Sequence, residues 1–333
     1  MPLEFAQSTP TAQSMGTLVQ AHYDLGPVVA SEFLRRSFNQ VYRLTFASGR
    51  VVVARLSADR PRGPANVHFE AAALGHLAQQ GVLVANNVPT ANGQVSVDVP
   101  LPEGVRPLML FDFVDGAYTS EAPADIQAFG RGLASLHAAG QSYSGVASAY
   151  TLDLAHLLWR PLQRLLQAPT MTAALRPRFE AIGQRLNDRI LALGPLSQVL
   201  CHGDAHGQNN FVVDDPNGQR QAVFFDFDEA GPGCLAYELA VYPWSLHPHL
   251  PDTPLGDKTL TRWQHFLTAY RSVRDVGQAD LMAISPFMAV RQFWLLGEYA
   301  GRTAVWGSQA MPTDYLQRQA TVLTQWEDLA LPT

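Results

Sequence analysis

Residues 200–231 read LCHGDAHGQNNFVVDDPNGQRQAVFFDFDEAG, and this segment has the most informative pattern in the chain. Its two short apolar runs flank Asp-Asp-Pro-Asn-Gly, a sequence typical of a tight turn, so the pattern predicts a β-hairpin. A hairpin brings its two ends together. Asn209, before the first strand, and Asp226, after the second strand, should therefore lie side by side, with Asp204 one loop away.

These three side chains suggest a particular chemistry. An amide oxygen and a carboxylate that converge are hard ligands, and they suit Mg²⁺ that is also held by phosphate oxygens. A further carboxylate a few ångströms away can orient a hydroxyl group and accept its proton. Positioning, charge neutralisation and an oriented nucleophile are what phosphoryl transfer requires.

The order H-G-D-x-x-x-x-N, hairpin and Asp-Phe-Asp resembles the catalytic and metal-binding loops of the aminoglycoside phosphotransferase, choline kinase and homoserine kinase-like superfamily. The resemblance implies a protein-kinase-like fold, with Asp204 as the catalytic base. It also implies that Asn209 and Asp226 are the Mg²⁺ ligands. Asp228 ranks second to Asp226, because Asp226 directly follows the strand. Further along, Glu238 stands where the superfamily usually has aspartate.

The first third of the chain has a different pattern from the rest. Residues 28–56 are rich in β-branched and aromatic residues, which predicts two or three antiparallel strands. Residues 66–81 have helical spacing and end at a glycine, after a first helix that we expect to begin near Thr17. Residues 94–100 and 107–114 predict two more strands.

After Asp115-Gly116 the pattern is mainly helical, apart from the hairpin. The expected fold class is α+β, with two lobes. Residues 1–113 would form a small antiparallel β lobe with one long helix, which binds the nucleotide. Residues 114–333 would form a larger, mainly helical lobe that carries the catalytic loop, the metal loop and the acceptor pocket.

The third predicted strand, residues 51–56, carries the expected phosphate contact. Strand alternation puts Val53 and Arg55 on one face, where Val53 would cover the adenine and Arg55 would meet the phosphates. The superfamily often has lysine at this position. Glu70 is the one acidic residue on the following helix, and we expect it to hold Arg55.

Two further segments belong to the expected nucleotide site. A glycine-rich loop is absent, and Ser37 and Asn39 stand in its place, where they would touch the phosphates. Residues 110–116, LFDFVDG, resemble the superfamily's hinge, which puts Phe111 and Phe113 beside the adenine.

The acceptor pocket is expected in the helical lobe. Arg291, Trp294 and Glu298 fall on one helix face, and Tyr242 and Trp244 follow the metal loop. Such an aromatic and acidic wall would suit a cationic amine. The same spacing is also typical of a helix that packs in a core.

The resulting hypothesis is an ATP- and Mg²⁺-dependent phosphotransferase acting on a hydroxyl group of an amino alcohol, amino acid or aminoglycoside-like molecule. One alternative is a protein Ser/Thr kinase of the stress-response type, whose Asp-Leu-Asp-Asp-Ala-Arg segment resembles residues 226–233 here. A second is a non-catalytic nucleotide-binding pseudokinase, if Arg55 cannot replace lysine. A third is a metal-dependent hydrolase using His202, Asp204 and His206, which would leave the hairpin unexplained.

Composition limits the class of protein. The chain has 333 residues, 47% of them apolar and 16% charged, as in ordinary globular proteins. Its net charge of −6 argues against a general nucleic-acid binder. Its two cysteines do not frame a secreted domain, and neither a bilayer-spanning run nor a signal-peptide pattern occurs. We therefore expect a cytoplasmic protein with a small-molecule partner and neither a nucleic-acid nor a membrane partner. The oligomeric state is not predicted.

Overall fold

Strands dominate the first third of the chain, and helices dominate the rest. The computed structural model describes residues 3–327 and 329–332. The strands are β1 (Val28–Arg36), β2 (Gln40–Phe46), β3 (Val51–Leu56), β4 (Asn87–Val88), β5 (Val97–Leu101), β6 (Gly104–Asp112), β7 (Ala117–Tyr118), β8 (Gln198–Cys201), β9 (Asn210–Asp214), β10 (Arg220–Phe224) and β11 (Gly231–Cys234). The helices are α1 (Ala12–His22), α2 (Val67–Gln79), α3 (Pro123–Gly140), α4 (Arg160–Leu166), α5 (Arg176–Ala192), α6 (Leu235–Leu246), α7 (Asp257–Arg271), α8 (Gln278–Ala300), α9 (Thr303–Trp306) and α10 (Thr313–Trp326).

The smaller lobe is a six-stranded antiparallel sheet in which β1, β2, β3, β6 and β4 follow one another and β5 pairs with β6. Helix α1 packs against β1. This helix begins at Ala12, five residues before the predicted start, because the Thr11 side chain caps it by accepting a hydrogen bond from the Ser14 amide. Residues 12–16 are therefore helical, although the sequence did not predict a helix there.

The larger lobe consists of α3 to α10 and two small sheets. One sheet joins β7, β9 and β10, and the other pairs β8 with β11. The sequence did not predict β7, β8 or β11 as strands. These strands are only two to four residues long, and β11 reads Gly-Pro-Gly-Cys, so they carry no alternating pattern of apolar residues.

Strand β6 takes part in two separate apolar cores. Its side chains at Leu108 and Leu110 pack with the sheet and α1, whereas Met109 and Phe111 pack with α2 and the helical lobe. This division follows from strand geometry, since successive side chains point to opposite faces. The α+β, two-lobed fold that the sequence predicted is confirmed.

A cavity of about 370 Å³ lies where the sheet meets the β9–β10 hairpin. Its walls come from β1, β2, β3 and β6 on one side and from Phe211, Phe225 and Asp226 on the other. Among the described residues, none of the helices has both the length and the apolar character needed to cross a lipid bilayer.

Candidate active site

The predicted hairpin forms, and it brings the two ends of the motif together. Strand β9 pairs with β10 so that Asn210 lies opposite Phe224. The amide of Phe225 donates to the main-chain oxygen of Asn209 at 3.2 Å. Asp226 follows directly in a left-handed conformation, with φ of 65°, and its carboxylate lines the cavity. Asn209 and Asp226 are therefore neighbours across the open end of the hairpin.

The loop before the hairpin is held against the loop after it. His202 is buried, and its Nε2 donates to the main-chain oxygen of Phe225 at 2.9 Å. Gly203 has a φ of 84°, and a Cβ atom there would lie 2.2 Å from the main-chain oxygen of Glu229. The amide of Gly203 donates to both carboxylate oxygens of Glu238, each at 3.2 Å. Glycine is therefore required here, and Glu238 anchors the loop that carries Asp204.

Asp204 faces a buried arginine. The Arg291 Nη2 atom lies 2.5 Å from Oδ1 of Asp204, and His206 Nε2 lies 3.5 Å from the same oxygen. Burial favours the protonated carboxyl, but the charges of Arg291 and then His206 outweigh it and hold the pKa of Asp204 well below its usual range. The Asn209 side chain donates to the main-chain oxygen of Asp204 at 3.0 Å, which fixes the catalytic loop relative to the hairpin.

The cation on β3 is paired as the sequence predicted. Arg55 donates to both oxygens of Glu70, at 2.8 and 2.5 Å, in a two-pronged contact. Its Nη1 also donates to Oδ1 of Asp226 at 3.1 Å. Burial opposes the charge of Arg55, but Glu70 and Asp228 reverse the effect and raise the pKa of this guanidinium. Arg55 is therefore a permanent cation at the inner end of the cavity.

The cavity is lined mainly by apolar and aromatic side chains. Val53 and Arg55 both line it, as alternation along β3 requires. Phe111 and Phe113 line it from the end of β6 and the segment that follows. Arg55 lies over the Phe111 ring at 4.9 Å, and Arg43 lies over Phe113 at 4.9 Å. The structure thus brings together four of the predicted nucleotide-site residues.

Asn39 does not face the cavity in the way we expected. Its Nδ2 donates to Oδ2 of Asp228 at 2.9 Å, and its Oδ1 accepts from the amide of Ala58 at 3.0 Å. The amide oxygen and one of the two N–H donors of Asn39 are therefore bound by protein groups, and Asn39 is not among the residues that line the cavity. Ser37 lies exposed at the turn between β1 and β2, where its amide donates to the main-chain oxygen of Asn39.

Asp228 is likewise occupied by protein groups. Arg62 Nη2 lies 2.7 Å from its Oδ1, and Arg60 Nη1 lies 3.1 Å from its Oδ2. Burial opposes the charge, but Arg62, Arg55 and Arg60 hold the pKa of Asp228 far below its usual range. The structure therefore separates the two aspartates of the motif: Asp226 faces the cavity, and Asp228 ties the loop that follows β3 to the helical lobe. The sequence analysis did not identify Arg60 and Arg62 as site residues. The only sign in the sequence is that two arginines lie close together after a predicted strand.

The residues expected in the acceptor wall divide into two groups. Tyr242 and Trp244 line a second cavity of about 460 Å³, which His206 also lines and which shares Tyr118 with the first cavity. All four residues are buried, but Trp294 and Glu298 line neither of these cavities. Glu298 accepts from Arg60 at 3.0 Å, and Trp294 lies beneath Arg60 and Arg291. Trp294 and Glu298 therefore belong to the core, because their face of α8 packs against the loop after β3.

The site fits a divalent cation that arrives with phosphate groups. Asp226 supplies a carboxylate that is 28% exposed, and the bond from Asn209 Nδ2 to Asp204 leaves the amide oxygen as a possible ligand. Within residues 3–327 and 329–332, no three side chains of histidine, cysteine, aspartate or glutamate form a metal-binding group. Two hard protein ligands suit Mg²⁺, which usually takes its other ligands from water and substrate phosphates. The same finding argues against a hydrolase site built on His202, Asp204 and His206.

Comparison with known proteins agrees with this geometry. A model of the phosphotransferase enzyme family, APH, matches residues 31–276. The chain belongs to this family. The chain is 34% identical over 300 residues to an uncharacterized protein of Deinococcus radiodurans, covering 90% of this chain and 85% of that one. It is 26% identical to the homoserine kinase of Brucella abortus over 309 residues, covering 89% and 88% of the two chains.

Solved structures show the same fold. The amicoumacin kinase hAmiN, solved with AMP-PNP and Ca²⁺, matches 96% of the phosphotransferase with a TM-score of 0.72 and 19% identity, over 95% of its own chain. A microcompartment-associated aminopropanol kinase matches 94% with a TM-score of 0.69 and 22% identity, over 95% of its chain. The kinase-like fold predicted from the sequence is thereby confirmed.

Proposed function

We propose that this phosphotransferase moves the γ-phosphoryl group of ATP to a hydroxyl group of a small molecule that also carries an amino group. The observation that carries the proposal is the meeting of Arg55, fixed by Glu70, with Asp226 in the cavity between the lobes. A permanent cation and a partly exposed carboxylate in a mainly apolar cavity suit a nucleotide with its phosphates and a divalent cation.

Each group in the cleft has a proposed task. Val53 and Phe113 would contact the adenine, and Arg55 would bind the phosphates. Asn209 and Asp226 would hold Mg²⁺, which neutralises phosphate charge when it is bound. Asp204, one loop away, would orient the acceptor hydroxyl and take its proton as the phosphoryl group leaves ATP.

The second cavity is the proposed acceptor site. It adjoins the first at Tyr118 and reaches His206, which contacts Asp204. Tyr242 and Trp244 give it aromatic walls, which attract ammonium groups. A volume of about 460 Å³ suits a small ligand. Two of the similar proteins are named as an aminopropanol kinase and a homoserine kinase. Aminopropanol and homoserine each carry one amine and one hydroxyl group.

The first experiment measures binding of MgATP and then transfer from radiolabelled ATP to a panel of acceptors. The panel contains amino alcohols, hydroxy amino acids, aminoglycosides and a generic protein substrate. Labelling of an amino alcohol or hydroxy amino acid is the expected result. Labelling of protein alone would support the Ser/Thr kinase alternative, MgATP binding without any transfer would support a pseudokinase, and tightly bound zinc without MgATP binding would revive the hydrolase.

A further inference from the structure

Strand β1 carries an irregularity beside the nucleotide cavity. Along the β1–β2 ladder, Phe33 lies opposite Tyr42 and Arg35 lies opposite Val41, so the register shifts at Leu34. An extra residue of this kind is a β-bulge, and bulges re-aim side chains next to functional sites. In a regular strand, two consecutive side chains point to opposite faces. Here Leu34 and Arg35 both line the cavity of about 370 Å³.

The bulge directs Arg35 toward the carboxylate that we assign to metal binding. Its Nη2 lies 3.9 Å from Oδ2 of Asp226, while Arg55 Nη1 lies 3.1 Å from Oδ1 of the same side chain. The two arginines differ in their freedom. The Arg55 side chain is 5% exposed and clamped by Glu70, whereas that of Arg35 is 46% exposed. Arg35 can therefore leave Asp226 at little cost, because a long ion pair with such exposed partners is weak.

The turn next to Arg35 lacks the usual means of holding phosphate. It has no glycine-rich sequence, and the Asn39 amide is occupied by Asp228 and Ala58. A planar guanidinium with several donors can supply these contacts, because it binds phosphate through two parallel hydrogen bonds.

We propose that Arg35 is a second phosphate-binding cation, which exchanges the carboxylate of Asp226 for the β- and γ-phosphate groups when the nucleotide enters. This proposal rests on the proposed function, because it assumes that the cavity holds ATP. In the nucleotide-free protein, Arg35 and Arg55 neutralise Asp226 from both sides. After the exchange, Asp226 has one arginine fewer against it and is better able to bind a cation.

The test compares Arg35→Gln with Arg36→Gln. Arg36 is the next residue of β1, is also exposed, and is directed to Thr9 and Gln7 instead of the cavity. Calorimetry measures the affinities of wild type and both variants for MgATP and for adenosine, which lacks phosphate. Arg35→Lys is the conservative variant that keeps the charge, and circular dichroism checks that every variant is folded.

We expect Arg35→Gln to weaken MgATP binding about 10- to 100-fold, as removing one charge-assisted hydrogen bond does. Adenosine affinity should stay within twofold, Arg35→Lys should be intermediate, and Arg36→Gln should match wild type. Unchanged MgATP affinity in Arg35→Gln would overturn the assignment while leaving the proposed function intact. Equal losses for MgATP and adenosine would also overturn it, because Arg35 would then only shape the cavity. Wild type that binds no MgATP would refute both proposals.

Discussion

The guanidinium of Arg291 lies 2.5 Å from a carboxylate oxygen of Asp204, across 87 residues of sequence. It stacks on Trp294 at 4.1 Å and on Trp244 at 4.8 Å, so its position is set by two large side chains. The pairing keeps Asp204 ionised and fixes the direction of its second oxygen. Arg291 is thus better described as a group that positions the proposed base than as part of an acceptor wall.

Arg291→Met tests this pairing. Methionine has a similar length without the charge, so Asp204 would lose its partner and its fixed orientation. We expect kcat for phosphoryl transfer to fall about 10- to 100-fold, the effect of a charged hydrogen bond, while the KM for ATP stays within about twofold because binding at Arg55 is unaffected. Arg291→Lys should recover part of the loss. Unchanged kcat in the methionine variant would contradict the positioning role.

Asp204→Asn tests the proposed proton acceptor. An asparagine can still accept a hydrogen bond from Arg291, but it cannot take a proton from the acceptor hydroxyl. We expect kcat to fall about 100- to 10,000-fold, the usual contribution of general base catalysis, with MgATP affinity almost unchanged. Asp188→Asn, the same change on the exposed surface of α5, serves as the control. Substantial turnover in Asp204→Asn would refute the assignment.

The two aspartates of the Asp-Phe-Asp motif should respond differently to the same substitution. Asp226→Asn removes a proposed cation ligand, so ATP affinity in the presence of Mg²⁺ should fall more than about 10-fold. In EDTA the affinity should be equal to wild type or higher, because a negative charge near the phosphates is gone. Calorimetry with and without Mg²⁺ measures both values. The reverse pattern would remove Asp226 from the metal site.

Asp228→Asn should instead act on stability. This carboxylate is buried against Arg60, Arg62 and Asn39, and breaking a buried ion pair typically costs about 3–5 kcal/mol. We expect the free energy of unfolding in urea to fall by about 3 kcal/mol, compared with about 1 kcal/mol or less for the partly exposed Asp226. If Asp228→Asn proves as stable as wild type, the buried network does not join the lobes as described.

His156 gives a prediction for pH. Burial, followed by the charges of Arg160 and Arg62, lowers its pKa to about 3, and its ring stacks on Tyr150 at 4.6 Å. Between pH 6.5 and 3, His156 therefore stays neutral in the folded protein. In the unfolded chain, where its pKa is near 6.5, it becomes protonated over the same range. His156 takes nothing from the free energy of unfolding above pH 6.5. Below that pH, protonation of the unfolded chain lowers the free energy of unfolding progressively, until the pH reaches about 3.

His156→Phe preserves the stack and removes the titration. Between pH 5.5 and 4, the free energy of unfolding of wild type should fall by about 1.4 kcal/mol per pH unit more steeply than that of the variant. Urea titrations at several pH values measure the two slopes. Equal slopes would mean that His156 titrates alike in the folded and unfolded states.

The sequence predicted the parts of the site that local pattern determines. The hairpin follows from two apolar runs around a turn, and it brings Asn209 beside Asp226. The shared face of Val53 and Arg55 follows from strand alternation, and the acidic residue of the next helix does reach Arg55. In each case a short stretch of backbone geometry is enough to place the side chain.

Long-range packing explains what the sequence did not predict. Arg62 reaches Asp228 across 166 residues, through a loop whose course depends on the whole helical lobe. Helical spacing put Trp294 and Glu298 on one face of α8, but it could not show that Arg60 would cover that face. The burial of His247 against Trp326 was also not predicted. Arg35 was missed because a bulge turns its side chain toward the cavity, and the residue composition that predicted this strand does not reveal a bulge.

Strand β6 tolerates no change in its own length, because its alternate residues belong to two different cores. Leu108 and Leu110 fill one interior, and Met109 and Phe111 fill the other. Inserting or deleting a single codon inside this strand would rotate each of these residues into the wrong interior and damage both halves of the molecule together. Insertions and deletions in related sequences should therefore occur in the turn before Gly104 and not within the strand.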